Sequence, residues 1–398
     1  MSAGRLAEVT ALMQQYVDAG TIAGAAAGVA RRGQIVYLDA VGYQDLESRT
    51  SMTDRSLFRI YSMAKAVTSV AVMMLWEEDR FELDDPVSRY LPDFSRVAVQ
   101  DQASGSTRPP VREITVRDLI LHTSGLNHRT SALYRDLGVR RRDMTMAQFI
   151  QNIVSAPLME DPGTRYRYSE GTTVLGGLVE VWSGMPLDEF MDQRIFTPLR
   201  MVDTGFQVRT DQLDRLTTVY RRGDDGTLSP FEIEEIPFTE RPDLLEGAVG
   251  LVSTVPDYLR FAQMLLNLGE LDGARLLRSE TVEMMIRNGL SDEVLAARPG
   301  DLGWGLGNVN VVMGTADSGG GPSGTAPSGG APSGSASPGS ASSTPSVGEY
   351  GWDGSAGTIF WNDPATETVI VLMWQNSPAN PESLRQRLKA LVHAAILD

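Results

Sequence analysis

The chain has 398 residues, of which 42% are hydrophobic and none is cysteine, and its formal net charge is −16 at pH 7. This length and apolar content predict a globular protein of two domains, or of one large domain with an insertion. The acidic charge argues against binding to nucleic acid or to an anionic membrane, and the lack of cysteine excludes disulfides, thiolate metal ligands and cysteine nucleophiles.

The N-terminal stretch predicts an amphipathic helix and not a signal peptide, because polar residues interrupt its apolar ones at helical spacing. The residues of its apolar stripe are Leu6, Val9, Leu12, Met13 and Tyr16. Residues 24–42 then predict a β-hairpin that turns at Arg31 to Gln34. The chain has no run of 18 apolar residues, so no transmembrane helix is expected and a cytoplasmic location is favoured.

The stretch from Ser62 to Trp76 predicts a buried helix, because it is largely apolar and neither Gly nor Pro interrupts it. It begins with the pattern Ser-x-x-Lys, which places Ser62 and Lys65 one turn apart on one face. A lysine that is removed from water loses basicity and can accept the proton of a neighbouring hydroxyl. Free N–H groups in a first helical turn can stabilise an oxyanion. Taken alone, however, the pattern favours a helix-capping serine and a lysine that reaches the surface.

Residues 114–200 predict several helices joined by short loops. A capping box at Thr115 to Asp118 starts one of them, and that helix stops at the turn His122 to Gly125. Arg140 to Arg142 form a short basic run, which we interpret as a solvated face and not as an anion site.

Towards the C-terminus, a second capping box at Thr254 to Asp257 predicts a helix over Tyr258 to Leu268. The later elements are expected to be a helix at Ser279 to Asn288, strands at Trp304 to Val312, Tyr350 to Asn362 and Thr368 to Gln375, and a closing helix at Pro381 to Leu397. Residues 314–348 consist almost wholly of Gly, Ser, Ala, Pro and Thr. They predict a flexible insertion at a hairpin tip, because strand-like sequence flanks them on both sides.

Two further stretches carry chemistry-bearing side chains. Tyr168 lies in the loop PGTRYRYSEG before a predicted helix, where an adjacent ammonium would lower its pKa and let it share a proton with Lys65. Trp352 lies in the stretch YGWDGSAGT, whose glycines allow a close backbone approach at a strand. Taken alone, the tyrosine stretch is equally typical of an interfacial tyrosine whose hydroxyl is hydrogen-bonded to the backbone. The tryptophan stretch, taken alone, is equally typical of a twisted strand with a packed tryptophan.

In this order, the stretches resemble the serine β-lactamase and penicillin-binding-protein superfamily, and most closely its family VIII carboxylesterases, which are similar to class C β-lactamases. The matching segments, which span nearly the whole chain, are MTDRSLFRIYSMAKAVTSVAVMML, LDDPVSRYLPDF, LILHTSGL, PGTRYRYSEG, GLVSTVPDYLRFAQMLLN and GWDGSAGT. The resemblance implies an α/β (α+β) fold, a β-lactamase-like antiparallel sheet flanked by helices with an inserted, mainly helical domain. Residues 1–85 and 247–398 are then expected to form the sheet domain, and residues 86–246 the helical domain.

The resemblance also implies roles for individual residues. Ser62 would be the nucleophile, Lys65 would accept its proton, and Tyr168 would be the second acid–base group. The backbone N–H groups of Ser62 and Ser355 would form the oxyanion hole. The substrate-binding positions, which match the family's K-T-G box, would be Trp352, Asp353 and Gly354. No cofactor and no metal is implied, because this mechanism needs only side chains and water.

Two departures from the family pattern bear on the activity. Trp352 replaces the K-T-G lysine, which helps β-lactamases to hold the carboxylate of their substrate, so neutral esters are expected in place of β-lactams or peptidoglycan. The W-x-G form is that of the esterase branch. Glu170 stands where many relatives carry Asn, and its carboxylate would hold Lys65 charged and oppose its role as a base, unless it points away from the site.

A Ser-His-Asp hydrolase is disfavoured, because the chain has no G-x-S-x-G elbow and its three histidines, His122, His128 and His393, lack the expected context. We expect His122 to make structural hydrogen bonds. No zinc-hydrolase pattern occurs. The sequence therefore predicts a serine hydrolase that cleaves small, short-chain carboxylic esters through an acyl-enzyme. The alternatives are a weak β-lactamase or D-amino-acid peptidase, an acyltransferase of the same superfamily, and a non-catalytic binding protein that keeps the fold. The oligomeric state stays open.

Overall fold

An eight-stranded antiparallel sheet is the central layer of the computed structural model, which describes residues 1–101, 104–234, 237–298, 302–313, 346–379 and 382–397. Its strands are β1 (Gly24–Arg31), β2 (Gln34–Asp45), β3 (Thr50–Ser51), β4 (Leu302–Gly305), β5 (Val309–Val312), β6 (Tyr350–Gly354), β7 (Thr358–Asp363) and β8 (Thr368–Met373). They are arranged in the order β4-β5-β6-β7-β8-β1-β2-β3, so the two ends of the chain meet where β8 pairs with β1. The expected fold class is confirmed.

The sheet is covered by helices on both faces, which explains why every residue of β1 and β8 is buried. The helices are α1 (Ala3–Asp18), α2 (Ala64–Glu77), α3 (Val116–Ile120), α4 (Ala132–Asp136), α5 (Met146–Ser155), α6 (Gly171–Ser183), α7 (Leu187–Met191), α8 (Thr197–Leu199), α9 (Val255–Leu266), α10 (Ser279–Met285), α11 (Asp292–Ala296) and α12 (Glu382–Ala394). Helices α1 and α12 pack together over one face, and α9 lies against β1, β7 and β8 on the other. Among the helices of the described residues, none combines the length and the apolar character that crossing a bilayer requires.

The N-terminal elements follow the sequence pattern closely. Four residues of the predicted stripe on α1 are buried, and Tyr16 packs at the edge of the same cluster. The predicted hairpin is formed by β1 and β2, with Arg32 and Gly33 as its two turn residues. Both have positive φ angles, 49° and 74°, as a tight two-residue hairpin turn requires.

Two of the predicted C-terminal strands are each a hairpin of two shorter strands. The first turns at Leu306 to Asn308, where Asn308 has a φ of 54°, and the second turns at Ser355 to Gly357, where Gly357 has a φ of 102°. Val311 pairs with Tyr350, so the segment between β5 and β6 connects two adjacent antiparallel strands, as predicted. Most of it, residues 314–345, lies outside the described residues.

The region expected to form a helical domain contains helices α3 to α8, together with short hairpins at Val99–Gln100 with Thr107–Arg108 and at Tyr220–Arg222 with Leu228–Pro230. One continuous cluster of buried apolar side chains includes residues of this region and of the sheet region. The division into two domains at residues 86 and 246 stays a prediction.

Candidate active site

Ser62 lies in a single 3₁₀ turn, Tyr61–Met63, that leads directly into α2. The preceding residue, Tyr61, is buried and has a φ of 41°, which is a costly conformation for a residue with a large side chain. The turn is held from the sheet by Thr358, whose hydroxyl donates to the carbonyl oxygen of Ile60 at 3.2 Å. The strained turn therefore presents Ser62, which is half-buried, at the start of an otherwise buried helix.

Lys65 is 2% exposed and lies one turn after Ser62. Its Nζ is 3.3 Å from Ser62 Oγ and donates a hydrogen bond to the backbone oxygen of Ala248 at 3.1 Å. Burial lowers the pKa of Lys65 to about 8 and outweighs the nearby carboxylates, of which Glu170 raises it most. The side chain is thus a weaker base than an ordinary lysine, and near pH 8 a large fraction of it is neutral and able to take a proton.

Tyr168 lies in the loop before α6, with its ring beneath Lys65 Nζ at 4.7 Å from the ring centroid. Its hydroxyl accepts a hydrogen bond from Trp352 Nε1 at 3.2 Å. The expected lowering of its pKa is wrong: removal from water raises the pKa of the phenol well above its usual value, although hydrogen bonds with Ser62 and Trp352 oppose the shift. Tyr168 is therefore a protonated phenol in the resting site, which suits an acid better than a base.

Trp352 and Gly354 lie on the face of β6 that is turned towards Tyr168 and α2. The Trp352 ring is perpendicular to that of Trp304 at 4.6 Å. A side chain at position 354 would place its Cβ 2.4 Å from the oxygen of Ile60, so the glycine lets β6 approach the Ser62 turn. Asp353 points to the opposite face, because successive residues of a strand alternate, and its Oδ2 pairs with Arg385 Nη1 of α12 at 2.6 Å. The Asp353 side chain is thus directed away from Tyr168, and the expected role of Asp353 in substrate binding stays a prediction.

The backbone N–H groups of Ser62 and Ser355 belong to the two segments that meet where Gly354 approaches the oxygen of Ile60. Ser355 is exposed and begins the turn between β6 and β7, and Gly357 N closes that turn on the oxygen of Gly354 at 3.1 Å. Within the part of the chain that the structure describes, neither the Ser62 nor the Ser355 amide donates a hydrogen bond to protein. Both are therefore available to an oxyanion.

Glu170 and His122 are buried close to this group without joining it. Glu170 accepts a hydrogen bond from Thr173 Oγ1 at 2.7 Å, and among the described residues it makes none with Lys65. Its charge opposes the loss of basicity at Lys65 but does not prevent it. His122 Nδ1 accepts from the backbone N–H of Ser169 at 3.3 Å, and burial lowers its pKa well below the usual value, so it is a neutral, structural residue, as predicted.

The basic run at Arg140 to Arg142 does not form a solvated face. Arg142 is buried and the side chain of Arg140 is only 8% exposed, so Arg141 is the one exposed residue of the three. Arg140 donates to both oxygens of Glu246, at 2.5 and 2.6 Å, and to Glu234 Oε2 at 2.7 Å. The prediction is wrong because buried carboxylates far along the chain, which a local reading of charge does not see, pair with these guanidinium groups.

The sequence reading missed several residues that surround Lys65. His128 lies against the Tyr168 ring at 5.6 Å between ring centroids, and Ala248 supplies the carbonyl that receives Lys65. Glu246 and Ala248 belong to the short stretch, residues 246–249, that precedes the segment GLVSTVPDYLRF. The family resemblance includes that segment. The position of the stretch next to that segment was the one sequence feature that could have indicated it. A backbone carbonyl can accept a hydrogen bond whatever the side chain of its residue, so the identity of Ala248 gives no indication of the contact.

Comparison with known proteins agrees with this architecture. The chain is 33% identical over 383 residues to Protein Rv1367c of Mycobacterium tuberculosis, covering 92% of this chain and 89% of that one. It is 31% identical to Esterase EstB of Burkholderia gladioli over 247 residues, 60% of each chain. The solved structure of EstCE1, described as a hydrolase with promiscuous acyltransferase activity, superposes with a TM-score of 0.79 at 25% identity over 99% of both chains. The family model named Beta-lactamase matches residues 9–395, and the chain therefore belongs to the beta-lactamase family.

Proposed function

We propose that the protein is a carboxylesterase that cleaves short-chain esters through an acyl-enzyme on Ser62. The observation that carries the proposal is the 3.3 Å approach of Lys65 Nζ to Ser62 Oγ, made by a buried lysine whose pKa is lowered to about 8. A serine hydroxyl becomes a nucleophile only when a neighbouring base takes its proton. The short distance from Lys65 to Ser62 and the lowered pKa of Lys65 support its role as that base.

In the acylation step, Lys65 accepts the proton of Ser62 while Oγ forms a bond to the ester carbonyl carbon. The negative charge that develops on the carbonyl oxygen is received by the N–H groups of Ser62 and Ser355. Tyr168, which is protonated at rest, donates its proton to the leaving alkoxide and regains one from Lys65. The alcohol departs, and the acyl group stays on Oγ.

In the deacylation step, a water molecule gives a proton to the same pair and attacks the acyl carbon. The bond to Ser62 Oγ then breaks, and the serine regains its proton, so the products are a carboxylic acid and the resting enzyme. The pair Lys65 and Tyr168 thus serves as base in one direction and as acid in the other, as microscopic reversibility requires.

Trp352 supports a neutral ester as the substrate. Its indole ring is partly exposed beside Tyr168 and brings no positive charge to the position where the K-T-G lysine of β-lactamases lies. A substrate carboxylate placed there would lose its hydration without gaining a partner. We therefore expect esters to be cleaved much faster than β-lactams.

The test compares p-nitrophenyl butyrate with a chromogenic cephalosporin, using the wild type and Ser62→Ala. We expect fast ester turnover, slight or absent lactam turnover, and a loss of at least about 10³-fold in ester turnover in the variant. Strong lactam turnover would replace the esterase proposal by a β-lactamase. If Ser62→Ala kept its activity, the assignment of the nucleophile would be refuted.

Transfer of the acyl group to an alcohol is the second candidate, and the likeness to EstCE1, described as a hydrolase with promiscuous acyltransferase activity, favours it. An alcohol would then replace water in deacylation, and an ester would form in place of the acid. Adding butanol to the p-nitrophenyl butyrate assay and measuring butyl butyrate separates the two. A hydrolase releases butyric acid alone, whereas a transferase forms the new ester at the expense of the acid.

A further inference from the structure

Four side chains of alternating charge form a buried chain beside the active site. Arg129 Nη2 lies 2.5 Å from Glu234 Oε1, and the other oxygen of Glu234 lies 2.7 Å from Arg140 Nη2. Arg140 Nε in turn lies 2.5 Å from Glu246 Oε1. The two carboxylates have side chains only 1% exposed, and Arg140 is 8% exposed. We name this set, Arg129, Glu234, Arg140 and Glu246, the buried charge chain.

One end of the buried charge chain joins the segment that holds Lys65. Glu246 is followed by Gly247, whose oxygen accepts a hydrogen bond from Thr68 Oγ1 at 2.7 Å, and by Ala248, whose oxygen accepts one from Lys65 Nζ at 3.1 Å. Thr68 and Lys65 lie on the same face of α2. Residues 246–248 therefore lie along the helix and contact it through two consecutive carbonyl groups.

The carbonyl of Ala248 decides how the amine of Lys65 is oriented. A neutral amine has two N–H groups and one lone pair. When one N–H donates to Ala248, the lone pair can be directed at the hydroxyl of Ser62, 3.3 Å away. A displacement of residues 246–248 by about 1 Å would be enough to lose this alignment, and misplacements of that size cost about 10²-fold in rate.

Stability alone does not account for four buried charges. The desolvation of buried ion pairs commonly offsets their attraction, so that apolar residues of similar volume would serve the fold equally well. In some proteins, however, buried polar or ionic groups specify one arrangement of the segments that they join. Arg140 holds both oxygens of Glu246, and a bidentate contact of this kind fixes direction as well as distance.

We propose that the buried charge chain positions the proton acceptor: Arg140, through both oxygens of Glu246, fixes residues 246–248 so that the carbonyl of Ala248 directs Lys65 at Ser62. This inference rests on the proposed role of Lys65 as the base of the esterase. It makes Arg140 and Glu246 positioning residues that need no contact with substrate.

The two ends of the buried charge chain act oppositely on Lys65. The carboxylate of Glu246 raises the pKa of Lys65, and the guanidinium of Arg129 lowers it. Among the other described groups, the carboxylates of Glu170, at the start of α6, and of the more remote Asp353 also raise the pKa of Lys65. The Tyr168 phenol and the imidazoles of His122 and His128 are the remaining titratable groups around it. Removing Glu246 or Arg129 should therefore shift the pKa of Lys65 in opposite directions if the two charges act on it electrostatically. A purely structural effect would not produce opposite shifts.

The first experiment compares Arg140→Lys with Arg141→Lys. The readouts are ester kcat and KM, together with the rate at which a fluorophosphonate labels Ser62 as a function of pH. Arg140→Lys keeps the charge but loses the bidentate contact, so we expect kcat and the labelling rate to fall about tenfold with KM within twofold and the pH midpoint unchanged. Arg141→Lys is the matched control, because Arg141 is exposed and paired with Asp143, and it should behave as wild type.

The second experiment measures the pH midpoint of Ser62 labelling in Glu246→Gln and Arg129→Gln. Loss of the carboxylate should move the midpoint to lower pH and loss of the guanidinium should move it to higher pH, each by about half a pH unit. Only Glu246→Gln should also lower the plateau rate, since Arg129→Gln leaves the contact between Arg140 and Glu246 in place.

Circular dichroism and the unfolding temperature establish which variants are folded before rates are compared. If Arg140→Lys does not fold, the proposal is tested by the opposite shifts of the labelling midpoint in Glu246→Gln and Arg129→Gln. If Glu246→Gln does not fold, it is tested by the rates of Arg140→Lys and the midpoint of Arg129→Gln. Wild-type rates in a folded Arg140→Lys, or shifts of equal sign in the charge variants, would overturn the proposal. Labelling also separates the positioning proposal from the esterase assignment. A wild type that is labelled at Ser62 but cleaves no ester would refute only the esterase assignment. A wild type that is not labelled would refute the assignment and the positioning proposal together.

Discussion

Lys65 is buried and, among the residues that the structure describes, makes hydrogen bonds only with Ser62 and Ala248. This setting determines the pH at which it can act. Its pKa is lowered to about 8 because desolvation disfavours the ammonium form more than nearby carboxylates favour it. A base must be unprotonated to accept a proton, so its active fraction falls as the pH drops below the pKa.

We therefore predict that kcat/KM for p-nitrophenyl butyrate rises with pH to a midpoint near 8 and is level above it. Below the midpoint it should fall about tenfold for each pH unit. Because the pKa of Tyr168 is raised, deprotonation of the phenol should cause no decline below pH 10. A profile measured from pH 6 to 10 on a stable protein checks this. A midpoint near the ordinary lysine value of 10.5, or a flat profile, would contradict it.

At this scale the sequence predicted identities better than environments. The S-x-x-K pattern, the tyrosine loop and the W-x-G stretch named Ser62, Lys65, Tyr168 and Trp352, which the fold brings together. The direction of the Tyr168 pKa shift was missed, because burial depends on side chains far away in the sequence. The partners of Arg140 were missed for the same reason.

At the scale of elements, the site depends on how closely β6 approaches the turn before α2. Gly354 makes this approach possible, since a Cβ there would lie 2.3 Å from Thr358 Oγ1 and 2.4 Å from Ile60 O. Because Ser355 follows Gly354 directly, we expect the same approach to bring its amide towards that of Ser62, as the proposed oxyanion hole requires. The sequence predicted a close backbone approach at this glycine but could not identify Ile60 as the residue approached. Only the folded sheet brings residue 354 next to residue 60.

We predict that Gly354→Ala lowers kcat about 10²-fold, because the added methyl group forces the strand and the turn apart. The unfolding free energy should fall by about 1 to 3 kcal/mol, as for other overpacked sites. Gly4→Ala, at an exposed position of α1, is the control; the added Cβ meets nothing closer than 4.0 Å, and the variant should keep full activity with equal or slightly greater stability. Ester kinetics and chemical denaturation measure both effects. Wild-type kcat in Gly354→Ala would show that the close approach is not needed.

Secondary structure was easiest to predict where the pattern is local. The capping box at Thr115 is present with both of its hydrogen bonds. At Thr254 only one half formed: Thr254 Oγ1 accepts from the Asp257 N–H, but the Asp257 carboxylate accepts instead from the backbone N–H of Asp203. The reciprocal bond was lost to a tertiary partner, which a local motif cannot anticipate.

At the scale of the whole molecule, the resemblance implied two domains, but the packing joins the two regions closely. Helix α2 of the sheet region packs against α6 of the helical region, and their buried apolar side chains belong to one cluster that continues to β7 and β8. The buried charge chain lies within residues 86–246 and ends at the division itself, because the residues after Glu246, Gly247 and Ala248, accept hydrogen bonds from α2 of the sheet region. Neither region would keep its apolar surface covered if the other unfolded.

We therefore predict that the chain unfolds in one cooperative transition despite its length. Far-UV circular dichroism, tryptophan fluorescence and loss of ester cleavage should share one midpoint, because helices, sheet and active site depend on the same core. In calorimetry, the van't Hoff and calorimetric enthalpies should agree. The comparison is made at several scan rates, since irreversible unfolding would make the midpoint depend on the rate. Loss of activity at a lower temperature than loss of helix signal, or two resolved calorimetric peaks, would show instead that the regions before and after residue 246 unfold as separate domains.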